Sequence, residues 1–188
     1  FLKGINFRRL KLINNHFLLF IFGFYIFMNT IFLQLGSNMG EREAYLQNAI
    51  VLIAEEIGFI QKISKVYESV PWGVENQNNY LNQVIQIKSD FSAEEVLEKA
   101  LQIEDKIGRI RNEKWGERII DIDILFFNDL IIEKEGICIP HIHLHSRKFV
   151  LIPLNEIGPN LMHPKYNKTI SELLINCKDI ESVEEYAI

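Results

Sequence analysis

The segment 119–127 constrains the fold more than any other part of the chain. It is apolar and rich in β-branched and aromatic residues except at Asp121 and Asp123, and Asn128-Asp129 closes it. Such a run predicts a buried strand. Side chains two positions apart on a strand share a face and lie roughly 7 Å apart. We therefore expect both carboxylates to point the same way out of a segment that is otherwise buried.

Two interpretations of this aspartate pair are open from the residues alone. Neighbouring carboxylates in a poorly solvated place repel each other unless a cation lies between them. Oxygen ligands on rigid backbone suit Mg2+, which keeps several waters and takes the rest of its shell from substrate phosphates. Alternatively, Asp121 and Asp123 lie on the exposed face of an edge strand and bind no metal.

The rest of the chain from Met28 alternates between strand and helix patterns. Ser92-Ala-Glu-Glu95 has the form of a capping box that begins a helix, and Gly58 and Gly108 each follow a helical pattern. The order strand, helix, strand, repeated once, predicts an α+β ferredoxin-like sandwich with helices packed on a largely antiparallel sheet. We expect one domain over 28–188. The predicted strands cover 28–36, 59–70, 80–89 and 119–127, and the predicted helices cover 41–57 and 92–107.

The bulk composition excludes several classes of protein. Of the 188 residues, 48% are hydrophobic, which is enough for a core. A net charge of -5 and a pI of about 5.6 argue against a general nucleic-acid surface. Cys138 and Cys177 are far apart in the sequence and form no C-x-x-C pattern, which fits a reducing cytoplasm.

Residues 1–27 differ from the remainder of the chain. A basic stretch from Lys3 to Lys11 precedes an apolar stretch at 17–27. One interpretation is a signal peptide or a membrane anchor. The other is an extension that does not belong to the working domain, with translation beginning at Met28. We favour the second, because no small-residue cleavage site follows and the apolar run is shorter than the roughly 20 residues of a membrane span.

Basic residues cluster just before the aspartate pair, at Arg109, Arg111, Lys114 and Arg118. Guanidinium groups match phosphate oxygens, so arginines beside a carboxylate-metal site are typical of phosphoryl transfer. A solvated basic loop that neutralises nearby acids is the alternative for each residue alone. Their combination in an otherwise acidic domain favours a phosphate site.

Histidines and glycines give weaker signals. His141, His143 and His145 alternate, so on an extended segment they would share one side and could hold zinc. One of them donating to a phosphate fits the neighbouring residues better. The segment 36–40, Gly-Ser-Asn-Met-Gly, precedes a helix as a phosphate-binding loop does, but it lacks the lysine of a P-loop and is more typical of a structural turn.

From about Met28 to Leu174 the chain resembles the 6-hydroxymethyl-7,8-dihydropterin pyrophosphokinases. The matching segments are collinear over nearly the whole domain, and the run from Arg109 to Asp123 is highly specific to that family. The segments are Leu35-Gly-Ser-Asn38, Ser64-Lys-Val-Tyr-Glu-Ser69, Pro71-Trp-Gly73, Asn79-Tyr-Leu-Asn82, Ile103-Glu104, Gly108-Arg-Ile-Arg111, Trp115-Gly-Glu-Arg-Ile-Ile-Asp-Ile-Asp-Ile-Leu125, Ile139-Pro-His141, Arg147, Phe149-Val-Leu-Ile-Pro-Leu154 and Glu156-Ile-Gly-Pro159.

This resemblance implies an enzyme of folate biosynthesis. It would move a diphosphate from ATP to the hydroxymethyl group of 6-hydroxymethyl-7,8-dihydropterin, with AMP leaving. Asp121 and Asp123 would bind two Mg2+ ions, and Arg109 and Arg118 would hold the phosphates and stabilise the charge that develops on the transferred group. The implied ATP contacts are Arg109, Arg118, Ile124, His141, which would donate to a phosphate, and Arg147.

The resemblance also implies how the pterin is bound. Tyr80 and Phe149 would sandwich the flat ring, and Asn82 would hydrogen-bond to its polar edge. Backbone groups near Ser69, Val70 and Trp72 would complete recognition, Arg111 and Trp115 would belong to a loop that closes over both substrates, and Glu104 would be a polar neighbour of the pocket.

Some positions depart from the family's pattern. Ile142 replaces an aromatic residue or a proline, so one nucleotide contact is lost or made by backbone, whereas Val70 and Trp72 replace other apolar residues with little expected effect. A catalytically silent homologue that acts as a binding module, and a nucleotide-sugar transferase that uses the D-x-D pair, are the other classes considered. We expect a cytoplasmic monomer that takes two small molecules and whose core domain binds neither nucleic acid nor membrane.

Overall fold

The computed structural model describes residues 28–73, 77–110 and 116–187. The predicted N-terminal extension, 1–27, lies outside the described residues, as do Arg111 and Trp115 of the predicted closing loop. In chain order the elements are β1 (Asn29–Ser37), α1 (Arg42–Glu56), β2 (Phe59–Ile63), β3 (Tyr67–Ser69), β4 (Tyr80–Ser89), α2 (Ala93–Ile107), β5 (Asp121–Phe127), β6 (Ile132–Lys134), β7 (Ile137–Ile139), α3 (Lys148–Ile157), β8 (Met162–His163), β9 (Lys168–Thr169), α4 (Ile170–Ile175) and β10 (Val183–Glu185).

The main sheet is antiparallel throughout. Its strand order is β10-β3-β4-β1-β5, with β2 also paired to β4. The last strand of the twice-repeated strand-helix-strand pattern, β5, therefore lies beside the first, β1. This arrangement confirms the predicted α+β ferredoxin-like sandwich. Two short hairpins, β6-β7 and β8-β9, stand apart from the sheet.

The single strand predicted at 59–70 is wrong, because this segment forms two strands. Ser64 breaks it: its backbone N–H donates to the Val84 carbonyl at 2.9 Å, and its hydroxyl accepts from the Val84 N–H at 3.0 Å. Both β2 and β3 then pair with β4, at different registers. A periodicity in sequence cannot distinguish this break from a continuous strand, since Ser64 and Val84 are distant in the chain.

The two faces of the sheet pack against different helices. Ile31, Leu33 and Leu35 of β1 lie in the larger core, which α1 and α2 cover. Phe32 points the opposite way, into a second core formed with α3 and α4. Because side chains alternate along a strand, Gln34 shares the face of Phe32.

A capping box and a glycine define the two ends of α2. The Ser92 hydroxyl accepts the Glu95 N–H at 3.3 Å, and the Glu95 carboxylate accepts the Ser92 N–H at 2.8 Å, which confirms the predicted capping box. Gly108 ends the helix with a φ of 105°, a conformation that glycine adopts readily. Within 28–73, 77–110 and 116–187, no helix is long and apolar enough to cross a bilayer.

Candidate active site

Polar residues from four strands meet on the sheet face opposite α1 and α2. In the strand register, Gly36 of β1 lies between Asp121 of β5 and Asn82 of β4. Gln34 lies beside Asp123. Tyr80 pairs with Ser69 at the end of β3. The regular alternation of strand side chains therefore assembles both aspartates and the polar residues of β4 on one surface.

A cleft opens over this surface. All the residues that the resemblance assigns to pterin line it, together with both aspartates and two of the arginines assigned to ATP. Its lining is Gln34, Gly36, Ser69, Val70, Pro71, Trp72, Gln77, Tyr80, Asn82, Arg118, Asp121, Asp123, Arg147 and Phe149.

Two arginines hold the carboxylate of Asp121. Arg109 donates to Oδ1 at 2.5 Å, and Arg118 donates to Oδ2 at 2.6 Å. Both guanidinium groups are mostly buried, which strengthens these charge-assisted hydrogen bonds. Asp121 thus anchors two cations at one end of the cleft.

Glu104, which the sequence left without a defined role, supports the same cluster from α2. Its side chain is almost fully buried and pairs with Arg109 at 2.6 Å. The same oxygen accepts the backbone N–H of Ile122 at 2.8 Å. Glu104 therefore links α2 to the strand residue between the two aspartates and fixes where β5 begins. No local motif signals this contact, because it depends on the packing of α2 against β5.

Asp123 lies in a different environment from Asp121. Burial, together with the negative charges of Asp121 and Glu104, raises the pKa of Asp123 to about 7, although Arg118 and Arg109 oppose the shift. Its negative charge is therefore poorly compensated by the protein itself.

The donor set of this pair fits Mg2+. In the described part of the chain, no group of three or more His, Cys, Asp or Glu side chains is arranged to hold a metal unaided. Magnesium is usually bound through one or two carboxylates, waters and substrate phosphates. The unfavourable charge on Asp123 is what a bound cation would neutralise.

The Gly-Ser-Asn turn at 36–38 has a structural role. The Arg118 N–H donates to Asn38 Oδ1 at 2.8 Å, and the Asn38 N–H donates to the Arg118 carbonyl at 3.0 Å. Asn38 Nδ2 also donates to the Asn78 carbonyl at 3.3 Å. The turn therefore positions the backbone of Arg118 just before β5, in agreement with the prediction of a structural turn.

Arg147 places a largely unpaired cation in the cleft. It is 8% exposed, and its Nε and Nη2 have no hydrogen-bond partner among the residues that the structure describes. Its guanidinium lies 4.2 Å from the ring centroid of Trp72, a cation–π distance. Burial lowers the pKa of Arg147 from its usual value. Buried N–H donors that lack partners are suited to an anion such as a phosphate.

His141 lies in a neighbouring cavity rather than in this cleft. Its backbone N–H donates to the Leu125 carbonyl of β5 at 3.1 Å, which places it beside the aspartate strand. Burial, with Arg147 and His143 close by, lowers its pKa to about 4. Nδ1 accepts the His143 N–H at 3.4 Å, so the neutral ring carries its proton on Nε2 and can donate from there.

The three alternating histidines do not converge on one point. Residues 141–146 form a turn and a short 3-10 helix instead of an extended segment. The rings of His141 and His143 are 6.1 Å apart, whereas His145 contacts Tyr166 at 4.5 Å. The geometry that would favour a zinc site is therefore not present.

Ile124 differs from the other residues assigned to ATP. Its side chain is 6% exposed and packs in the larger core. Only its backbone, on the outermost strand of the sheet, remains for a nucleotide to contact.

Comparison with known proteins identifies the family of this chain. A family model described as 7,8-dihydro-6-hydroxymethylpterin-pyrophosphokinase matches residues 32–159. The 2-amino-4-hydroxy-6-hydroxymethyldihydropteridine pyrophosphokinase of Aquifex aeolicus is 46% identical over 145 residues, which cover 77% of this chain and 90% of that protein. The protein of the same name from Bacillus subtilis is 42% identical over 130 residues, with coverage of 69% and 78%.

Solved structures share the fold at much lower identity. The crystal structure of wild-type Plasmodium falciparum HPPK-DHPS has a TM-score of 0.67 at 19% identity, over 79% of this chain and 44% of that one. An HPPK-DHPS in complex with substrates also gives a TM-score of 0.67, at 15% identity, over 79% and 43%. This chain thus spans less than half of those structures. The family model and these curated relatives show that the chain belongs to the 7,8-dihydro-6-hydroxymethylpterin-pyrophosphokinase family.

Proposed function

We propose that this protein transfers a diphosphate from ATP to the hydroxymethyl oxygen of 6-hydroxymethyl-7,8-dihydropterin, releasing AMP. One observation carries the proposal: residues suited to a flat polar ring and residues suited to polyphosphate line the same cleft. Tyr80, Phe149 and Asn82 form the first set, and the aspartates with Arg118 and Arg147 form the second. A substrate in the first subsite would present its hydroxymethyl group toward the second.

Asp121 and Asp123 are the proposed ligands of two Mg2+ ions. When bound, the ions supply positive charge that neutralises the ATP phosphates and polarises the attacking oxygen. The poorly compensated charge of Asp123 supports this assignment, since the site gains from a cation. Asp121 also holds Arg109 and Arg118, so the same carboxylate would organise both kinds of positive charge.

The side chains of the cleft supply positioning and charge stabilisation. The hydroxymethyl oxygen attacks the β-phosphorus, the bond from that phosphorus to the AMP oxygen breaks, and the hydroxyl proton leaves to solvent. Arg109 and Arg118 stabilise the negative charge that develops on the transferred group, and Arg147 contacts the ATP phosphates. His141, neutral with its proton on Nε2, donates a hydrogen bond to ATP without adding a charge. No covalent intermediate on the protein is required.

A monomer that binds only these two small molecules accounts for the site. The cleft lies within one sheet and its flanking loops, so we propose that one copy of the chain is sufficient. We propose no nucleic-acid partner, in keeping with the net charge of -5.

Product analysis tests this function. The full chain is incubated with Mg2+, ATP and 6-hydroxymethyl-7,8-dihydropterin, and nucleotides are separated by chromatography. We expect AMP in a one-to-one ratio with pterin diphosphate, and none when either the pterin or Mg2+ is omitted. ADP as the product would instead mean transfer of a single phosphate. A folded protein that binds ATP and releases no AMP would show that the family activity has been lost.

A further inference from the structure

Gln34 lies on the floor of the pterin part of the cleft. It is in the middle of β1, and its register partners are Asp123 on β5 and Val84 on β4. The side chain is 5% exposed and lines the cleft. A long polar side chain is costly to bury in the centre of a sheet unless its amide is hydrogen-bonded.

One end of this amide is used inside the protein. Gln34 Nε2 donates to Asn82 Oδ1 at 3.2 Å. Asn82 Nδ2 in turn donates to the Ser69 hydroxyl at 3.0 Å, and the carbonyls of Tyr67 and Tyr80 lie at 3.4 Å from the same nitrogen. Oxygen acceptors therefore surround the NH2 group of Asn82, while its carbonyl oxygen faces the donor of Gln34. This network gives the Asn82 amide one orientation.

The other end of the amide has no partner. Gln34 Oε1 is buried and accepts no hydrogen bond from the residues that the structure describes. Turning the amide over would place two carbonyl oxygens against each other and would leave the NH2 group unpaired instead. The hydrogen bonds of Asn82 therefore determine which way the Gln34 amide points. They leave Gln34 Oε1 without a partner among the described residues.

We propose that Gln34 is a further pterin-recognition residue, which orients Asn82 and accepts a hydrogen bond from an N–H group of the bound ring. This inference rests on the proposed function. A dihydropterin carries an exocyclic amino group and ring N–H groups, and a neutral amide acceptor is suited to such donors. A phosphate or carboxylate would be repelled by the carbonyl oxygen, so the ATP phosphates are excluded from this position.

Replacing Gln34 tests the inference, and the chain offers a matched control. Gln34→Met keeps the length of the side chain but removes both the donor and the acceptor. Gln86 lies on β4 outside the cleft, and its Oε1 is also buried without a partner in the described residues. Gln86→Met therefore removes a comparable orphaned amide from the sheet without touching the substrate site.

The readouts are the Kd for the pterin by titration calorimetry, the KM for each substrate and the melting temperature. We expect Gln34→Met to raise the Kd and the KM for the pterin about tenfold or more, as for the loss of buried hydrogen bonds to a ligand. The KM for ATP is expected to change by less than about twofold. Gln86→Met is expected to bind the pterin like the wild type. If Gln34→Met does not fold, Gln34→Ala serves with the same expectation.

Different results would contradict the role of Gln34 and the proposed function. A folded Gln34→Met or Gln34→Ala protein that binds the pterin with wild-type Kd would overturn the role of Gln34, while AMP formation by the wild type would leave the proposed function intact. An equal loss of affinity for ATP and pterin would also overturn it, since that result indicates a structural role only. A wild-type protein that neither binds the pterin nor forms AMP would contradict the proposed function itself.

Discussion

Asp121 and Asp123 lie on the same face of β5 but have different electrostatic environments. Asp121 is held by Arg109 and Arg118, whereas burial and neighbouring negative charge raise the pKa of Asp123 to about 7. The D-x-D spacing predicted their common direction correctly, because strand alternation is a local property. It could not predict the difference between them, since the pKa of Asp123 is raised first by burial, then by the charge of Asp121 and then by that of Glu104 on α2.

Removing either carboxylate is expected to abolish turnover. Asp121→Asn and Asp123→Asn keep the shape of the side chain but remove the charge proposed to bind Mg2+. We expect less than a tenth of the wild-type rate of AMP formation, with a melting temperature that still indicates a folded protein. Asp129→Asn, in the exposed turn after β5, is the control and should retain full activity. More than a tenth of the rate in either cleft variant would contradict the assignment of the metal ligands.

Gly36 is expected to be required for space in the cleft and not for backbone conformation. A Cβ at this position would lie 3.8 Å from Tyr80, 3.9 Å from Asn82 and 3.9 Å from Asp121, all ordinary contact distances. Gly36→Ala should therefore fold with little change in melting temperature. Its methyl group would lie between the residues proposed to bind the ring and the charged residues, so we expect the KM for the pterin to rise severalfold. Wild-type kinetics in this variant would show that no substrate approaches Gly36.

His163 gives the protein a specific loss of stability in acid. It is buried against Phe126, and burial lowers its pKa to about 4, compared with roughly 6.5 in an unfolded chain. The unfolded state thus binds this proton more readily, and the contribution of His163 to stability is complete above about pH 6.5 and is lost as the pH falls toward 4.

The variant His163→Gln should flatten this dependence. The wild type is expected to lose at most roughly 1.4 kcal/mol of unfolding free energy per pH unit through this group. Urea denaturation at pH 7.5, 6 and 4.5 measures the slope for both proteins. The same difference between wild type and variant at all three pH values would mean that His163 does not titrate as its burial indicates.

Among the secondary-structure elements, the C-terminal strand β10 supports the part of the cleft that is proposed to bind the pterin. It pairs with β3, where Val183 lies opposite Ser69. Tyr186 extends the contact: its N–H donates to the Val66 carbonyl at 2.9 Å, and its hydroxyl donates to Glu43 of α1 at 2.7 Å. β10 therefore holds β3 on its outer side, just before the cleft residues that follow Ser69.

Deleting residues 182–188 tests this contribution. We expect the shortened chain to fold, because the main cores lie on β1, β4 and β5, but to hold β3 less firmly. The KM for the pterin should rise severalfold, and the KM for ATP should change less. Tyr186→Phe, which removes only the hydroxyl contact to Glu43, should shift the same constant in the same direction by a smaller amount. Equal changes in both KM values would contradict a role confined to the pterin subsite.

Sequence patterns predicted elements well where the signal was local. The capping box at Ser92 and the alternation in β1, β4 and β5 are properties of a few consecutive residues. The break at Ser64, the strand β10 and the helix α3 were not predicted, because each is stabilised by residues far away in the chain. Gly58 shows the same limit: it follows α1 as predicted, yet a Cβ there would lie 2.2 Å from the Lys88 carbonyl oxygen, a close approach that no sequence pattern reveals.

In the whole molecule, one face of the sheet carries the larger core and the other face carries the cleft. The face covered by α1 and α2 carries the larger core. On the opposite face, α3 and α4 cover one part, and the open cleft occupies the end where Asp121, Asn82 and Ser69 meet. The strand-helix pattern predicted that β4, β1 and β5 share one sheet. It did not predict the edge strand β10 or the position of α3, which carries Phe149 to the cleft.

Labelling the β-phosphate of ATP distinguishes transfer of a diphosphate from transfer of a single phosphate. ATP carrying 32P in the β-phosphate is incubated with the full chain, Mg2+ and 6-hydroxymethyl-7,8-dihydropterin, and the pterin product is isolated. We expect the label to move to the pterin in step with the release of unlabelled AMP. Label that remains in a nucleoside diphosphate, with an unlabelled pterin product, would contradict diphosphate transfer and would identify the protein as a kinase that moves one phosphate.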